Sequence, residues 1–424
     1  QLIGEILDTG RYARVEEVGK VVVLRKLRDV SCLERPLPQR RQRILVACHH
    51  VVPTGGILRF ERLGKVLQSW GHEVAFAALI DAPVPQGRRD IPILTLDEAA
   101  AQRWDAVMVP GAGFPEQTIE KLAVFRKPSF GVRVQHVLND QSKRVGFKQV
   151  NRHFAPQVVI FNNQAWPVGS FTDFQADRFH VLQGAVDTAA FRPAAYRSHP
   201  LNPARWVIGG LANKNPGALI AALDHLPPDV CLRLFGNDTH AIAAKHAGLI
   251  AAGRVELAGL LRGDDLPRFY RSVDCIAMTE PYAGWANLVA EAMASGVPVV
   301  CTPHGTTAIA RHEVSALVVD EPTPSALAEA VLRLRNDRGL CARLAEAGRE
   351  VIDAYSWDSY ARQMLKLIQH DGQQHYLHAP ELGLYGKWSL DERMSGLQPL
   401  LDRAAGCSVI DFGAAEGVVG REFL

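Results

Sequence analysis

The sequence predicts two α/β domains, each doubly wound around a parallel β-sheet with helices on both faces. Short apolar runs alternate with amphipathic helical segments from residue 43 to residue 370, which is the pattern of repeated βαβ units. Runs such as ILVAC at residues 44–48 are apolar at every position, as expected of parallel strands that are covered on both faces. A chain of 424 residues is also too long for one compact core, so we expect two domains and additional segments.

The first series of elements starts with the apolar run RILVAC at residues 43–48. A loop that contains Gly55 and Gly56, an amphipathic segment and the apolar run HEVAFAAL follow it, and together they make one βαβ unit. Further apolar runs at residues 105–110, 130–137 and 157–163 extend the sheet. We predict a first domain over residues 43–193.

A second series opens with RWVIGGL at residues 205–211 and continues through the apolar runs CLRLFG, RVELAG, DCIAMT, PVVCT and ALVVD. Helical segments separate these runs, and two longer helical segments close the series near residue 370. We therefore predict a second doubly wound domain over residues 194–370.

Both ends of the chain fall outside this pattern. Residues 11–28 predict two short strands around a Glu-Val-Gly-Lys turn. We interpret residues 1–42 either as an edge added to the main fold or as the end of a preceding domain plus a linker. Residues 371–424 predict a linker and then a strand, a glycine turn and the start of a helix. Because the sequence starts with Gln1 and stops within that last motif, we expect a piece of a longer, multidomain polypeptide.

Composition argues against several classes of function. Lys and Arg total 47 against 45 Asp and Glu, so we expect no nucleic-acid partner. No apolar stretch is long enough for a membrane span and no signal peptide opens the chain, which favours a cytoplasmic protein. The seven cysteines lack CxxC spacing, as reduced thiols do. Four arginines between residues 35 and 43 leave peripheral membrane contact open, although a solvated linker is the simpler interpretation.

The most informative segment is TEPYAGWANLVAEAMASG, which starts at Thr279. It places small residues, among them Gly284, directly before a predicted helix, where free backbone amides can meet an anion such as a diphosphate. Asn287 and Glu291 lie one helical turn apart on the same face. A carboxylate at Glu291 could therefore hold the hydroxyl groups of a ribose.

This segment resembles the donor-binding signature of glycosyltransferase family 4, which runs Glu, Gly, Phe or Trp, Gly and, after four more residues, Glu-Ala-Met-Ala. The resemblance implies a donor-binding set of Gly284, Trp285, Asn287, Leu288, Val289 and Glu291. The first acidic position, which in the family holds the transferred sugar, is Ala283 here. Either Glu280 reaches in from another angle as a catalytic residue, or the activity has changed.

The resemblance extends over residues 43–368, because the glycine loop with its helix, the segment VLQGAVDTAAFRP and the segment GLLRGDDLPRFYRSVDCIAM also match in order. It implies the GT-B fold, in which two Rossmann-like domains face a cleft. The second domain would bind a nucleotide-sugar donor, namely a UDP-, GDP- or dTDP-sugar. A glycan or lipid-linked saccharide acceptor would enter from the first domain.

Four further residues gain a role from this resemblance. Gly55 and Gly56 would let the backbone approach the donor or the acceptor, although a tight turn explains a Gly-Gly pair equally well. Lys214 lies where the family supplies cations to the diphosphate, and the family's arginine is absent. His136 matches a family histidine that contacts the donor sugar and is our second catalytic residue, although a histidine at a strand end is more often structural.

No metal or other cofactor is expected. The chain has no Asp-x-Asp triplet, and the sequence after His312 lacks the second histidine of a zinc-binding HExxH motif. We predict a metal-independent hexosyltransferase of polysaccharide biosynthesis that retains the anomeric configuration. A nucleotide-sugar epimerase or a phosphorylase of the same fold is an alternative, as is a non-catalytic glycan-binding module, which Ala283 would permit.

The last residues carry a second resemblance. VIDFGAAEG at residues 409–417 resembles the first motif of class I S-adenosylmethionine-dependent methyltransferases, and the leading hairpin resembles the closing strands of that fold. Any strand, turn and helix of an α/β protein gives a similar pattern. We expect residues 371–424 to contain the beginning of a truncated methyltransferase-like domain.

Overall fold

The computed structural model describes residues 12–18, 21–26, 41–51, 55–80, 90–127, 130–137, 144–162, 178–193, 201–202, 204–281, 283–369 and 408–411. The chain divides into two compact units, one over Gln42–Ile368 and one that combines Gln1–Arg41 with Gln369–Leu424. A bilayer-spanning helix, which needs about 20 apolar residues, is absent from the described ranges.

The hairpin predicted near the start of the chain is present. β1 (Tyr12–Val18) and β2 (Val21–Lys26) pair antiparallel, with Val18 opposite Val21. The register shifts between Arg14 and Glu16, as at a β-bulge.

Among the described residues, the first sheet of the larger unit has seven parallel strands in the order β5-β4-β3-β6-β7-β8-β9. They are β3 (Arg43–Cys48), β4 (Glu73–Ala78), β5 (Ile93–Thr95), β6 (Trp104–Pro110), β7 (Phe130–Val137), β8 (Val158–Phe161) and β9 (Arg178–Val181). The helices are α1 (Gly55–Ser69), α2 (Leu96–Ala100), α3 (Glu116–Ile119), which a 3-10 helix over Glu120–Arg126 continues, and α4 (Arg144–Phe154).

The local sequence sets the ends of these helices. α1 buries Phe60 and Leu63 in the core of the first domain, and it ends before Gly71, whose φ of +88° suits a residue without a side chain. α2 starts with a capping box. Thr95 Oγ1 accepts a hydrogen bond from the Glu98 amide at 3.2 Å, and the Glu98 carboxylate accepts one from the Thr95 amide at 2.8 Å.

The second sheet has, within the described ranges, six parallel strands in the order β12-β11-β10-β13-β14-β15. They are β10 (Trp206–Leu211), β11 (Val230–Phe235), β12 (Val255–Gly259), β13 (Cys275–Met278), β14 (Val299–Cys301) and β15 (Leu317–Val318). The helices are α5 (Gly217–Ala221), which a 3-10 helix over Ala222–His225 continues, α6 (Thr239–Lys245), α7 (Ala247–Ala251), α8 (Asp265–Arg271), α9 (Asn287–Ala294), α10 (Pro324–Asn336) and α11 (Arg338–Asp353). Two Rossmann-like domains with parallel sheets result, so the predicted fold class is confirmed.

The next helix, α12 (Trp357–Gln369), follows the second domain in sequence but packs on the first. Its buried residues Tyr360, Met364 and Leu365 share one hydrophobic cluster with Phe60 of α1. The segment around Ser356, which leads back to the first domain, lies beside the segment around Val186, which leads out of it. There Val186 forms a parallel bridge with Ser356, and the Val186 amide donates to the Tyr355 carbonyl at 2.9 Å.

The last described strand, β16 (Ser408–Asp411), pairs antiparallel with β2, so that Val409 lies opposite Val23. The two end segments of the chain therefore share one sheet. The glycine turn after Asp411, on which the methyltransferase resemblance depends, lies outside the described residues. That resemblance stays a prediction, as do the first and last residues of the four predicted segments.

We expect Met364→Ala to destabilise the first domain, because Met364 is fully buried in its core and truncation of a buried methionine costs about 2–5 kcal/mol. Denaturant unfolding should show the loss, and hydrogen exchange should become faster in α1 and β3. Lys366, on the same helix, is exposed, so Lys366→Ala should have little effect. Equal losses in the two variants would contradict the packing of α12 on the first domain.

Candidate functional site

The second sheet has a topological switch point at β10. The strands β11 and β12 extend the sheet on one side of β10, and β13, β14 and β15 extend it on the other side. In open parallel sheets, ligands bind at the carboxyl ends of the strands beside such a point. Lys214 follows β10 and Glu280 follows β13, and Lys214 Nζ lies 2.6 Å from Glu280 Oε1. The structure thus brings together two residues that the sequence predicted separately.

Asn215 fixes the two loops that carry this ion pair. Its amide Nδ2 donates to the Thr279 carbonyl at 3.1 Å, and Thr279 Oγ1 donates to the Asn215 carbonyl at 2.5 Å. The φ of Asn215 is +54°, a left-handed conformation that asparagine tolerates better than most residues. The sequence analysis missed Asn215, although an Asn directly after Lys214 in a loop is a signal for such a turn.

The loop that carries Glu280 leads into α9, whose first turn has backbone amides available for a ligand. Ala286 caps the helix without a side-chain hydrogen bond, and the Ala286 amide donates to the Gly305 carbonyl at 3.1 Å. The Leu288 amide has no partner in the described part of the chain. An unpaired amide at a helix N-terminus attracts an anion.

The side chains of α9 divide between solvent and core. Asn287 is exposed, whereas Leu288 and Val289 are buried in the core of the second domain. Of the predicted donor-binding residues, Leu288 and Val289 can therefore meet a ligand only through the backbone. Gly284, before the helix, is buried as well.

Glu291 is a buried carboxylate, 9% exposed, that accepts a hydrogen bond from the Tyr270 hydroxyl at 2.7 Å. Burial raises the pKa of Glu291 to about 6, although the hydrogen bond from Tyr270 and the positive charge of Arg62 oppose this shift. Arg62 belongs to α1, so the first domain contributes to the electrostatics of this carboxyl. The sequence analysis missed both Tyr270 and Arg62, because no local pattern relates them to Glu291.

Trp285 packs its side chain against Tyr355 and Gly184. Its ring lies 5.4 Å from the ring of Tyr355, and a Cβ added to Gly184 would lie 2.3 Å from Trp285 Cδ1. Trp285 is 8% exposed. The indole therefore packs on the segments that connect the two domains, and a donor contact through this side chain stays a prediction.

His136 lies at the carboxyl end of β7 and is fully buried. Its Nε2 lies 2.5 Å from the Tyr360 hydroxyl of α12. Burial lowers the pKa of His136 well below its ordinary value, and the positive charge of Arg59 acts in the same direction. The interactions of His136 within the described chain thus do not reach Lys214, Glu280 or Glu291, and its catalytic role stays a prediction.

Gly55 and Gly56 are the first two residues of α1, which follows the carboxyl end of β3. Their predicted contact with a substrate stays a prediction, and the loop residues 52–54 lie outside the described residues. In the ranges that the structure describes, no three His, Cys, Asp or Glu side chains cluster so that they could hold a metal ion.

Residues 203–337 match the family model described as Glycosyl transferases group 1. A D-inositol 3-phosphate glycosyltransferase of Xylanimonas cellulosilytica is 26% identical over 287 residues, which cover 63% of this chain and 67% of the relative. A protein of the same name from Salinispora tropica is 34% identical over 266 residues, 55% of each chain. This chain thus spans between about half and two thirds of the length of these two relatives.

Two solved structures share the two-domain arrangement. HepE of Anabaena in complex with UDP and glucose superimposes with a TM-score of 0.63 and 18% identity, over 77% of this chain and 99% of that chain. Sucrose-phosphate synthase of Thermosynechococcus elongatus gives a TM-score of 0.64 and 17% identity, over 77% and 98%. At these identities the likeness is one of fold, and it confirms the predicted GT-B arrangement.

The buried carboxyl of Glu291 predicts a pH-dependent cost in stability. Its pKa of about 6 lies above the ordinary 4.5, so the folded protein binds this proton more tightly than the unfolded chain does. Stability should therefore fall as the pH rises from about 4.5 to about 6, by about 2 kcal/mol in all. Glu291→Gln removes this charge and should raise the free energy of unfolding by about that amount at pH 7.5, and by less at pH 5.

Chemical denaturation at the two pH values measures this difference. Glu350 is an exposed glutamate of α11, and Glu350→Gln is the matched control, which should give no pH-dependent gain. If Glu291→Gln were less stable than the wild type at pH 7.5, the carboxyl would be a net stabilising group and the argument from burial would fail.

Proposed function

The chain carries a glycosyl transferases group 1 domain, and from this premise we propose that the protein is a glycosyltransferase that moves a sugar from a nucleotide-sugar donor to a glycan or lipid-linked saccharide acceptor. One observation carries the proposal. Lys214 and Glu280 form an ion pair at the carboxyl ends of β10 and β13, and the loop that carries Glu280 leads into α9, at the edge where a parallel sheet of this kind binds its ligand.

The donor lies along this edge of the second sheet. Its diphosphate meets the Leu288 amide and the ammonium of Lys214, which offset the negative charge of the phosphates. Glu291 accepts hydrogen bonds from the ribose hydroxyls. The anchoring of Glu291 by Tyr270 supports this role, because a carboxylate held by one donor keeps lone pairs for others.

Transfer needs stabilisation of the leaving diphosphate. The bond from the anomeric carbon to the diphosphate oxygen breaks, the acceptor oxygen forms the new bond, and the acceptor proton leaves with the nucleoside diphosphate. Lys214 and the amides of α9 supply the stabilisation without a metal ion, and the configuration at the anomeric carbon is retained. Glu280 contacts the transferred sugar from the loop after β13.

The names of the relatives support a choice of substrates. The curated relatives named above act on D-inositol 3-phosphate, and HepE was solved with UDP and glucose. These names support a phosphorylated polyol or saccharide as acceptor and a UDP-sugar as donor, with GDP- and dTDP-sugars as the other donors to test. A cytoplasmic location suits the described cysteines, which are buried free thiols. Peripheral membrane contact stays a prediction.

We expect UDP, GDP or dTDP to raise the melting temperature of the wild-type protein, because a ligand that binds the native state stabilises it by mass action. Glu291→Gln and Lys214→Met should each weaken the binding of that nucleotide at least about tenfold, as is usual for a lost hydrogen bond to a charged group. Calorimetry on the folded variants measures this, with Glu350→Gln as the unaffected control. A wild type that responds to none of the three nucleotides would refute the donor site.

Glu280→Gln should separate binding from turnover. The change breaks the 2.6 Å ion pair with Lys214 and leaves the ammonium free for the diphosphate, so nucleotide affinity should be unchanged or higher. Turnover should fall about 100-fold, the scale of a lost electrostatic group, in hydrolysis of the donor sugar without acceptor. Full turnover in this variant would exclude Glu280 from the reaction, and a wild type that binds the nucleotide without any turnover would favour the non-catalytic module.

A further inference from the structure

Arg59 of α1 is a buried cation without a counter-ion. It is 9% exposed, and its Nη1 has no hydrogen-bond partner in the described chain. No ion pair joins it to a carboxylate in the part of the chain that the structure describes. Because the guanidinium is always charged, this arrangement leaves a buried positive charge uncompensated.

The two side chains shown beside Arg59, Tyr360 and His136, carry no negative charge, and Tyr360 shares a side-chain hydrogen bond with Arg59. Its guanidinium carbon lies 5.9 Å from the centre of the Tyr360 ring, and the Tyr360 hydroxyl lies 2.5 Å from His136 Nε2. Burial keeps His136 uncharged, and its Nδ1 also lacks a partner among the described residues. Two buried polar atoms beside one tyrosine thus lack hydrogen-bond partners. Such atoms are rare in folded proteins and call for a ligand or a water molecule.

The position of Arg59 on α1 favours a ligand that is negatively charged. Arg59 lies three and four residues after Gly56 and Gly55, on the same face of the helix, and helical side chains tilt towards the N-terminus. Its side chain therefore leans towards the first turn of a 15-residue helix, whose N-terminus attracts anions, while its guanidinium contacts Tyr360. β3, which precedes α1, and β7, which carries His136, are parallel with β6 between them, so both end at the same edge of the sheet.

We propose that Arg59 and the first turn of α1 bind an oxyanion of a substrate, a phosphate or a carboxylate, on the first domain. The inference rests on the proposed function and assigns residues of the first domain to the charged part of the substrate. If the anion belongs to the acceptor, the enzyme acts on a phosphorylated or carboxylated saccharide or polyol, and a neutral acceptor would leave Arg59 uncompensated. If the anion belongs to the donor, Arg59 of the first domain binds the diphosphate of a donor that lies on the second domain.

The test compares Arg59→Met, an apolar side chain of similar length, with the wild type. Inorganic phosphate is the probe, titrated by calorimetry at constant ionic strength set with chloride. We expect phosphate to bind at least about tenfold more weakly to Arg59→Met. We also expect the ligand-free variant to melt no lower than the wild type, because the substitution removes an uncompensated buried charge. Lys65, whose ammonium is half exposed on the same helix, supplies the control Lys65→Met.

A second titration, with saturating UDP present, separates the two sources of the anion. Phosphate binding that persists and still depends on Arg59 assigns the anion to the acceptor. Phosphate binding that UDP abolishes, together with weaker UDP binding by Arg59→Met, assigns it to the donor. Equal phosphate affinity in the wild type and the variant overturns the inference, as does a wild type that does not bind phosphate.

A second variant of Arg59 and a separate measurement of nucleotide binding complete the test. If Arg59→Met does not fold, Arg59→Gln removes the same charge with a polar side chain and should lose phosphate binding to the same extent. The proposed glycosyltransferase function fails on a different result, namely a wild type that binds no nucleoside diphosphate. The two failures are therefore distinguishable.

Discussion

The candidate site depends on the junction at which the chain passes twice between the two domains. There the Val186 amide donates to the Tyr355 carbonyl at 2.9 Å, and the ring of Trp285 lies against both Tyr355 and Gly184. Trp285 is followed directly by Ala286, the capping residue of α9, so it links the junction to the amides that, on the proposed function, would meet the diphosphate. Glycine is required at position 184 because any Cβ would overlap the indole. A change in the angle between the domains must therefore also move the loop before α9, which is the donor-binding loop of the proposed function.

The buried charges of Glu291 and Arg59 lower the free energy of unfolding. A buried carboxylate at Glu291 and a buried guanidinium at Arg59 are both unfavourable without an opposite charge in contact with them, although Tyr270 donates a hydrogen bond to Glu291. The core around them is otherwise apolar and well filled. Such groups persist where a ligand compensates them. The same reasoning does not apply to Arg43, whose guanidinium pairs with the Glu73 carboxylate at 2.8 Å and lies over Trp104, because there the chain itself supplies the partner.

The sequence predicts what local patterns determine, and it does not predict which distant surfaces meet. Apolar runs revealed the parallel strands, because both faces of such strands are buried, and the motif around Gly284 predicted Glu280 and Glu291 as candidate site residues. The amphipathic pattern of α12 shows that one face is buried, but it does not show that this face packs on the first domain. His136 likewise has a predictable position at a strand end, whereas its burial depends on Tyr360, 224 residues later. Similarly, the pairing of β2 with β16 joins opposite ends of the chain.

The replacement of the usual glutamate by Ala283 has a structural counterpart on the neighbouring loop. Ala283 lies against Gly305, because a Cβ added to Gly305 would be 2.8 Å from the Ala283 Cβ. The backbone of Gly305 therefore covers Ala283. The nearby carboxylate is instead that of Glu280, whose carbonyl accepts a hydrogen bond from Thr302 Oγ1 at 2.8 Å. Without a donor, Lys214 neutralises Glu280. A diphosphate that draws Lys214 away would free the carboxylate for the sugar, so on the proposed function this ion pair makes the Glu280 carboxylate available only after the diphosphate has bound.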